Sequence, residues 1–435
     1  MSKILVAGAG HGGLVAAARL AGAGFDVTVI EKGKEGKLGH DWEDGFSFER
    51  FFELTGTGYA DYPEGSWHAN GNMIYYPPNK KAEVTSDYSE NSLKVMFRSY
   101  ILNALINRAF KSGVKFLYET EVLSSLTRGN KVTGLKTDKG DFEADLVIDA
   151  AGVFSPVRRS LPDSFGIEKE TRTGDVFYAY RAYFDKTRDV NPDFPYEMYV
   201  YHDGEKGLSW FITDENCCDI LIGRVFPLDD GHINELLDEF RREHPWMGEK
   251  ILHGGTVAPI PVRRALTLMV ADGYAAVGDS AFMTTPMNGM GIDLCFDAGE
   301  MLAETIIENP DFSASNLWKY NRRYHIQCGS GDSKNALLKN ALLSLPPEAV
   351  DFLFESGIIG RNELMGAGTR VSFASVIEKF FKGIRKPKWF FTLVSGLLKG
   401  EKTAKLYAAP PEEYSLPEIE KWSRKISEND IPVKE

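Results

Sequence analysis

Residues 4–32, ILVAGAGHGGLVAAARLAGAGFDVTVIEK, contain the pattern that decides the fold. An apolar run of strand length, residues 4–7, comes directly before the stretch GAGHGG, which fits G-x-G-x-x-G. Residues 14–23 favour a helix, residues 26–30 favour a second strand, and Glu31 follows that strand. This order of strand, turn, helix, strand and acid predicts a Rossmann-like unit that binds a dinucleotide.

The glycine-rich stretch has the residues that phosphate binding requires. Gly8 permits the tight turn, Gly10 lets the backbone approach a pyrophosphate, and Gly13 lets helix and strand pack closely. The N–H groups and the dipole at the helix N-terminus favour the phosphates. Glu31 can accept hydrogen bonds from ribose hydroxyls and would repel a 2′-phosphate, which disfavours NADP at this position. The predicted cofactor-binding residues of this unit are Gly8, Gly10, His11, Gly12, Gly13, Glu31 and Lys32.

Length, charge and cysteine content restrict the classes of protein to consider. A chain of 435 residues predicts two or three domains. The net charge of −12 argues against a nucleic-acid partner. None of the four cysteines belongs to a C-x-x-C pair, which argues against a zinc or iron–sulfur site and favours a reducing, cytoplasmic compartment. Because the first strand begins within three residues of the N-terminus, we expect no signal peptide.

Periodicity along the rest of the chain predicts further elements. Residues 93–112 carry apolar side chains at helical spacing, which predicts a helix with Arg98 in its first turns. Residues 145–151 and 273–277 have the composition of buried strands. Between residues 175 and 225, several stretches alternate aromatic and aliphatic residues and predict an antiparallel sheet. The chain after residue 316 is predicted to be mostly helical.

Three separated stretches together resemble one family. They are the N-terminal unit, residues 145–158 (DLVIDAAGVFSPVR) and residues 273–292 (GYAAVGDSAFMTTPMNGMGI). This combination resembles FAD-dependent oxidoreductases of the para-hydroxybenzoate hydroxylase (GR2) fold, and it is most similar to their branch of geranylgeranyl reductases and FixC-like dehydrogenases. The resemblance covers roughly residues 1–310, and the combination is more specific than any single motif.

The resemblance implies an α/β fold with three parts. These are a Rossmann-like FAD-binding domain (residues 1–60, 90–165 and 255–310), an antiparallel β-sheet substrate domain (61–89 and 166–254) and a helical C-terminal region (311–435).

The third stretch also points to FAD through its own chemistry. Asp279 follows a glycine at the end of a buried strand, where a carboxylate can accept a hydrogen bond from a ribityl hydroxyl, a group that NAD lacks. The alternative role for Asp279 is that of a helix N-cap. The helix start behind it would bring backbone N–H groups to the pyrimidine edge of a flavin. The residues assigned to that start are Pro286, Gly289, Met290, Gly291 and Ile292.

Other contacts are implied only by the resemblance. Arg98 matches the arginine that contacts the FAD phosphates or ribityl chain, and its alternative is a surface cation on an amphipathic helix. The strand that holds Val122 matches the one against which the adenine lies. In the middle stretch, Ala151 and Gly152 stand where the family usually has Asp-Gly.

The substrate-pocket candidates are His40, Asp41, Trp42 and Trp210. The first three lie in the loop after the second strand, which returns towards the cofactor; their alternative is a solvated surface loop. Residues 208–213, LSWFIT, share their tryptophan with the Y-x-W-x-F-P run of the reductases and the W-x-W-x-I-P run of flavin halogenases. The first aromatic residue and the proline are missing, and Trp210 fits either the pocket or the core of the sheet.

The predicted function is hydride transfer between flavin N5 and an apolar or conjugated small molecule. No second G-x-G-x-x-G followed by an acid is present, so NAD(P)H or a reduced carrier protein is expected as a transient electron donor. The alternatives are a flavin monooxygenase on the same fold and a FixC-like partner of an electron-transfer flavoprotein. No side chain is assigned a catalytic role.

Residues 373–398 interleave five basic residues with aromatic residues and leucines in an otherwise acidic chain. This pattern suits an anionic membrane surface. Helices that are broken near Pro387 and pack their aromatic side chains on the FAD domain also explain it. The second interpretation is favoured because Pro387 and Gly396 are expected to interrupt a single amphipathic helix.

Overall fold

A computed structural model describes residues 1–87, 94–361, 379, 382–383 and 385–434. The strands in these ranges are β1 (Lys3–Ala7), β2 (Asp26–Ile30), β3 (Glu43–Gly45), β4 (Trp67–Ala69), β5 (Met73–Tyr76), β6 (Val84–Ser86), β7 (Lys94–Phe97), β8 (Lys115–Leu117), β9 (Val122–Arg128), β10 (Lys131–Thr137), β11 (Gly140–Glu143), β12 (Leu146–Asp149), β13 (Val176–Lys186), β14 (Tyr196–Val200), β15 (Gly207–Thr213), β16 (Cys217–Arg224), β17 (Met247–Pro261), β18 (Val270–Ala271) and β19 (Tyr274–Ala276).

The α-helices in these ranges are α1 (His11–Gly22), α2 (Phe48–Thr55), α3 (Arg98–Lys111), α4 (Pro156–Arg159), α5 (Asp230–Glu243), α6 (Ile292–Glu308), α7 (Ala314–Tyr324), α8 (Ser330–Leu343), α9 (Pro347–Glu355), α10 (Pro387–Tyr407) and α11 (Leu416–Ser427). A π-helical turn, His325–Gly329, joins α7 to α8.

A six-stranded sheet in the order β18-β19-β12-β1-β2-β8 forms the centre of the N-terminal unit. Its pairs are parallel except for β18 with β19, and its apolar strands are almost completely buried. Ala7 lies opposite both Ile30 and Asp149, so β1, β2 and β12 end at the same edge of the sheet. The predicted Rossmann-like unit is therefore confirmed, and its three strand ends place the glycine-rich turn beside Glu31 and the middle stretch.

A seven-stranded sheet in the order β17-β13-β16-β15-β14-β5-β6 forms the second layer, and all of its pairs except β14 with β5 are antiparallel. Strand alternation divides the side chains of β13 between two faces. Tyr180 and Phe184 pack against α5 on the back face. Ala179 and Tyr183 point the other way and contact Trp42. We call this second side the front face.

A small sheet in the order β3-β7-β4 lies between these two layers. Residues 94–97, which helical spacing assigned to a helix, form β7 instead, and the helix begins at Arg98. Their backbone groups pair with β3 on one side and β4 on the other. The predicted helix was therefore wrong for residues 94–97, because pairing with two distant strands outweighs local helical periodicity.

The C-terminal helices form a layer in which α8 packs along α10. Pro387 is the first residue of α10, as expected for a helix start, but Gly396 lies inside the helix. A Cβ at Gly396 would lie 2.4 Å from the Cβ of Ala341, so this glycine permits a close helix–helix contact. The expectation that Gly396 interrupts the helix was therefore wrong. None of the helices within the described ranges has the length and apolar composition needed to cross a bilayer.

Gly13 offers a test of how closely α1 must approach the sheet. A Cβ there would lie 2.6 Å from the Cβ of Ala150 and 3.0 Å from Cγ1 of Val6. We expect Gly13→Val to lower the free energy of unfolding by about 1–3 kcal/mol, measured by urea denaturation. Gly22→Ala on the same helix is the matched control, because a Cβ at Gly22 would meet nothing within 4 Å. Equal stability of the two variants would contradict the close packing.

Candidate functional site

The glycine-rich turn lies between the ends of β1 and β12. Gly8 has a φ of +87° and donates its N–H to the Ile30 carbonyl at 2.8 Å. A Cβ at Gly8 would lie 2.7 Å from the carbonyl oxygen of Ala150, and one at Gly10 would lie 2.9 Å from the same atom. Gly10 is therefore needed because a side chain at this position would collide with the backbone that follows β12. The sequence pattern did not reveal this contact. Since Gly10 is also the N-cap of α1, no side chain caps the first N–H groups of that helix.

Glu31 is held at this turn by two backbone donors. Its carboxylate accepts hydrogen bonds from the N–H of Ala9 at 2.8 Å and from that of Gly33 at 2.6 Å. The carbonyl of Glu31 accepts the N–H of Thr120 at 3.0 Å, and β9 begins two residues later at Val122. The structure therefore brings the predicted ribose-binding acid, the following Lys32 and the predicted adenine-contacting strand to one end of the site.

A half-buried ion pair lies further along the same edge. Arg98 donates from Nε and Nη2 to the two carboxylate oxygens of Asp44, at 2.6 and 2.7 Å. Burial alone would raise the pKa of Asp44, but the charge and hydrogen bonds of Arg98 lower it below its usual value. The charge of the guanidinium also acts on Asp279. Arg98 is therefore a half-buried, ion-paired member of the site and not a free surface cation on its helix.

Asp279 and His11 lie near this ion pair. Burial raises the pKa of Asp279, although the charge of Arg98 opposes the shift. Its Oδ1 accepts a hydrogen bond from Oγ1 of Thr284 at 3.2 Å, and it caps no helix. Burial and the charge of Arg98 lower the pKa of His11 to about 4, so its ring is neutral near pH 7. Nε2 of His11 is buried and has no hydrogen-bond partner among the described residues.

The middle stretch is organised by an acid that sequence reasoning missed. Asp149 ends β12, and its carboxylate accepts hydrogen bonds from Ala151 N–H at 3.1 Å, Ser155 Oγ at 2.6 Å and Tyr274 Oη at 2.9 Å. The turn that includes Ala151 and Gly152, with φ +86° at Gly152, is thereby tied to β12. The sequence feature that could have indicated this role is the single acid at the end of the buried strand LVID.

Arg158 connects this turn to the third stretch. It is completely buried, and its guanidinium donates to the carbonyls of Val153, at 2.6 Å, and Ser280. Ser280 in turn donates its hydroxyl to the Asp149 carbonyl. The three stretches that carried the family resemblance are therefore one connected structure at the ends of the parallel strands.

The helix start of the third stretch lies beside that of α1. Gly291 is the N-cap of α6 and offers no capping side chain. A Cβ at Gly12, in the first turn of α1, would lie 2.8 Å from the carbonyl oxygen of Cys295 in the first turn of α6. Two uncapped helix N-termini thus meet at the site. The turn before α6 contains Pro286, Gly289, Met290 and Gly291, and Ile292 is the first helical residue.

These observations test whether the residues fit FAD. Two uncapped helix N-termini suit a pyrophosphate and an electron-rich ring edge, because both present partial positive charge. Glu31 and Asp279 are carboxylates that can accept hydrogen bonds from ribose and ribityl hydroxyls. The neutral His11 has a buried ring nitrogen without a partner. The residues present therefore fit the cofactor.

Residues 41–44 connect this cofactor edge to the seven-stranded sheet; we call them the strap. The carbonyl of Trp42 accepts the N–H of Arg98 at 2.8 Å. The backbone of Glu43 donates to the hydroxyl of Tyr183 at 3.0 Å and accepts from Nη1 of Arg181 at 2.5 Å. One short segment thus contacts both the start of α3 and the front face.

The strap places Trp42 in an apolar cluster with Trp210 on the front face. Trp42 is 3% exposed, and the indole N–H groups of both residues are buried without a partner among the described residues. The ring of His40 stacks on Trp42 with centroids 4.8 Å apart. Asp41 is exposed, and its backbone carbonyl lies 3.2 Å from Nδ1 of His253. The structure thus brings together three of the four predicted pocket side chains.

A buried ion pair in this region was also missed by sequence reasoning. Arg181 donates from Nε and Nη2 to the carboxylate of Asp219, at 2.9 and 2.7 Å. Its guanidinium lies 5.1 Å from the ring centroid of Trp210 and 5.0 Å from that of Tyr183. Breaking such a buried pair by removing one partner is costly, so it holds the front face in one arrangement. The sequence feature that could have indicated this ion pair is the arginine in the middle of the aromatic strand VFYAYRAYFDK.

His68 forms a second ionic contact with the strap. Its Nε2 lies 3.2 Å from Oε2 of Glu43, whose side chain is 8% exposed. Burial would lower the pKa of His68, but the hydrogen bond and charge of Glu43 raise it to about 9. The imidazolium of His68 therefore neutralises the buried end of the strap at neutral pH.

The His68–Glu43 pair predicts a pH dependence of stability. The folded pKa of about 9 lies above the ordinary 6.5, so the pair's contribution is complete below pH 6.5 and is lost as pH rises through about 9. We expect His68→Gln to destabilise the protein most below pH 6.5 and least above pH 9, measured by denaturant unfolding at several pH values. Glu43→Gln should remove the same pH dependence. If His68→Gln lowers stability equally at every pH, the ionic pairing of His68 with Glu43 is contradicted.

Comparison with known proteins identifies the family and the proteins to which this chain is similar. Residues 1–243 match the family described as FAD binding domain. The digeranylgeranylglycerophospholipid reductase of Sulfolobus acidocaldarius is 21% identical over 97% of this chain and 96% of that protein. Protein FixC of Escherichia coli K12 is 26% identical over 87% of this chain and 97% of that protein. A geranylgeranyl bacteriochlorophyll reductase-like protein from Thermoplasma acidophilum has a TM-score of 0.69 at 21% identity, with 91% of this chain and 99% of that chain covered.

These comparisons agree with the fold. The predicted fold class, a Rossmann-like cofactor unit with an antiparallel sheet and C-terminal helices, is confirmed. FAD is confirmed as the cofactor. The chain belongs to the FAD-binding domain family and is an FAD-dependent oxidoreductase, similar in sequence and fold to geranylgeranyl reductases and to FixC.

Proposed function

We propose that the protein is a reductase or dehydrogenase that transfers a hydride between FAD and an apolar or conjugated small molecule held against the front face. The observation that carries this proposal is the apolar cluster that joins Trp42 to Trp210 directly beside the strap and Arg98. Bound FAD would supply hydride transfer at N5, and the protein supplies binding, orientation and electrostatics.

The cofactor would lie along the edge where the parallel strands end. Glu31 would take the ribose hydroxyls, the N-terminus of α1 the pyrophosphate, and Asp279 a ribityl hydroxyl. The N-terminus of α6 would face the pyrimidine edge, where its dipole stabilises negative charge. The residues proposed to bind FAD are Gly8, Gly10, His11, Gly12, Gly13, Glu31, Lys32, Arg98, Val122, Ala151, Gly152, Asp279, Pro286, Gly289, Met290, Gly291 and Ile292.

The side chains on the front face support an apolar substrate. Next to Trp210, a second apolar cluster contains Met73, Tyr196, Met198 and Ile212. Two indole N–H groups without partners can donate to a polar atom of the substrate and so orient it. The relative from Sulfolobus is named for a substrate with isoprenoid chains, which is consistent with this class.

We propose a transient electron donor, either NAD(P)H or a reduced carrier protein, because the sequence has one dinucleotide motif followed by an acid. The similarity to FixC keeps a carrier protein among the candidates. A cytoplasmic location belongs to the same proposal and is supported by cysteine usage. We also propose the division into an FAD-binding domain, a sheet domain and a helical C-terminal region with the boundaries given above.

Asp279 provides a test of cofactor binding. We expect Asp279→Leu to weaken FAD binding about ten- to a hundredfold, because a hydrogen bond to a charged acceptor is lost. The measurement is titration of the apoprotein with FAD followed by flavin fluorescence. Thr284→Val is the matched control, since it removes the hydrogen bond from the Thr284 hydroxyl to the Asp279 carboxylate and keeps the carboxylate itself. Equal loss in both variants, or none in Asp279→Leu, would contradict the role.

The reaction class is tested by anaerobic titration of the FAD-loaded protein. NADH, NADPH and reduced carrier proteins are tried as donors, and a ligand that co-purifies, identified by mass spectrometry, is tried as acceptor. Reoxidation of the reduced protein by an apolar acceptor without oxygen supports the proposal. Substrate-dependent oxygen uptake would instead identify a monooxygenase.

Trp210 provides a test of the pocket. We expect Trp210→Leu to slow reoxidation by the identified acceptor at least about tenfold while FAD remains bound, because the substrate loses its aromatic contact and donor. Trp246→Leu is the matched control, since Trp246 packs on the back face of the same sheet. Unchanged reoxidation in Trp210→Leu would remove this residue from the pocket.

A further inference from the structure

Helix α10 has one face that the rest of the described chain leaves uncovered. Its buried residues Gly396, Gly400, Thr403 and Tyr407 lie on one side. On the other side Phe391 is 55% and Leu398 67% exposed, and Leu397, about a quarter turn away, is 41% exposed. Large apolar side chains that share a surface in this way mark an interaction site when they form a contiguous group.

Three cations lie beside Phe391 and Leu398; they are Lys388, Lys399 and Lys402. Lys386 lies instead 5.0 Å from the ring centroid of Trp389, on the packed side of the helix. No salt bridge joins the three lysines to a carboxylate in the described ranges, although the whole protein has a net charge of −12. In α10 itself the single acid, Glu401, is already paired with Lys334. Phe391, Leu398 and these three lysines together are called the α10 face.

Helical geometry arranges this face as one stripe. At about 100° per residue, Phe391, Leu398 and Lys402 lie within an arc of about 40° around the helix axis. Lys388 and Lys399 flank them on one side. This is the arrangement of an interfacial amphipathic helix, in which apolar side chains enter the acyl boundary and lysines extend to the head groups.

The opposite side of α10 continues towards the front face. Trp389 and Leu393 pack against the cluster formed by α9, in which Leu342 and Ile359 are partly buried. Leu342 and Ile359 also contact the neighbouring cluster, which includes Tyr75 of the seven-stranded sheet. Two apolar clusters with shared members thus link α10 to that sheet.

We propose that the α10 face docks the protein on an anionic lipid bilayer. Docking itself follows from charge and exposure, whereas the apolar route from the bilayer to the front face rests on the proposed function. An acidic partner protein would also attract the cations. The bilayer is favoured because the exposed side chains form an apolar stripe edged by cations on a single helix.

The test is co-sedimentation of the full-length, FAD-loaded protein with vesicles of phosphatidylcholine, alone or with phosphatidylserine, at low and high salt. We expect binding to the anionic vesicles that weakens with salt. Phe391→Ser/Leu398→Ser and Lys388→Glu/Lys402→Glu should each reduce binding at least about tenfold. The matched control is Phe110→Ser/Lys111→Glu on α3, where Phe110 is 71% exposed.

Absence of binding to anionic vesicles at low salt would overturn the proposal. So would α10 variants that bind like the wild type, or a control variant that loses binding equally. FAD content is measured by absorbance in the same samples. Vesicle binding that depends on α10 in a protein without redox activity towards apolar acceptors would overturn the proposed function and leave docking intact.

Discussion

The half-buried ion pair between Arg98 and Asp44 is the interaction on which the rest of the site depends. Arg98 begins α3 in the cofactor unit, and Asp44 belongs to the strap that runs onto the seven-stranded sheet. Next to it, Glu43 contacts Arg181 and Tyr183. Contacts on these neighbouring residues thus join the two layers, which also meet through apolar packing, since Val176 of β13 belongs to the core of the cofactor unit.

This arrangement also sets the electrostatics of the site. The charge of Arg98 helps to keep His11 neutral and Asp44 ionised. The region near the glycine-rich turn therefore contains the Arg98–Asp44 ion pair, whose charges cancel, and the uncharged ring of His11. Beyond the strap, the front face is apolar apart from the Arg181–Asp219 pair and a few hydroxyl groups. A flavoenzyme that acts on an apolar molecule needs a polar edge to bind the cofactor and an apolar surface to bind the substrate. Here the two lie next to each other.

The helical C-terminal region extends the apolar surface away from the cofactor. Its helices cover one part of the front face through α8 and α9, while α10 turns an apolar and basic face outward. Gly396 and Gly400 allow the close packing of α10 on α8 that orients this face. The same glycines that weaken a helix in isolation are therefore what fixes its position here.

The sequence by itself determined the cofactor unit, because strand, turn and helix follow one another within about thirty residues and each is specified by local chemistry. It also determined the antiparallel sheet through alternation. Tertiary structure alone decided that residues 94–97 form a strand, that Gly10 faces Ala150, and that Glu43 meets Tyr183 across 140 residues. These contacts join distant segments, and their geometry follows from packing that local propensity does not contain.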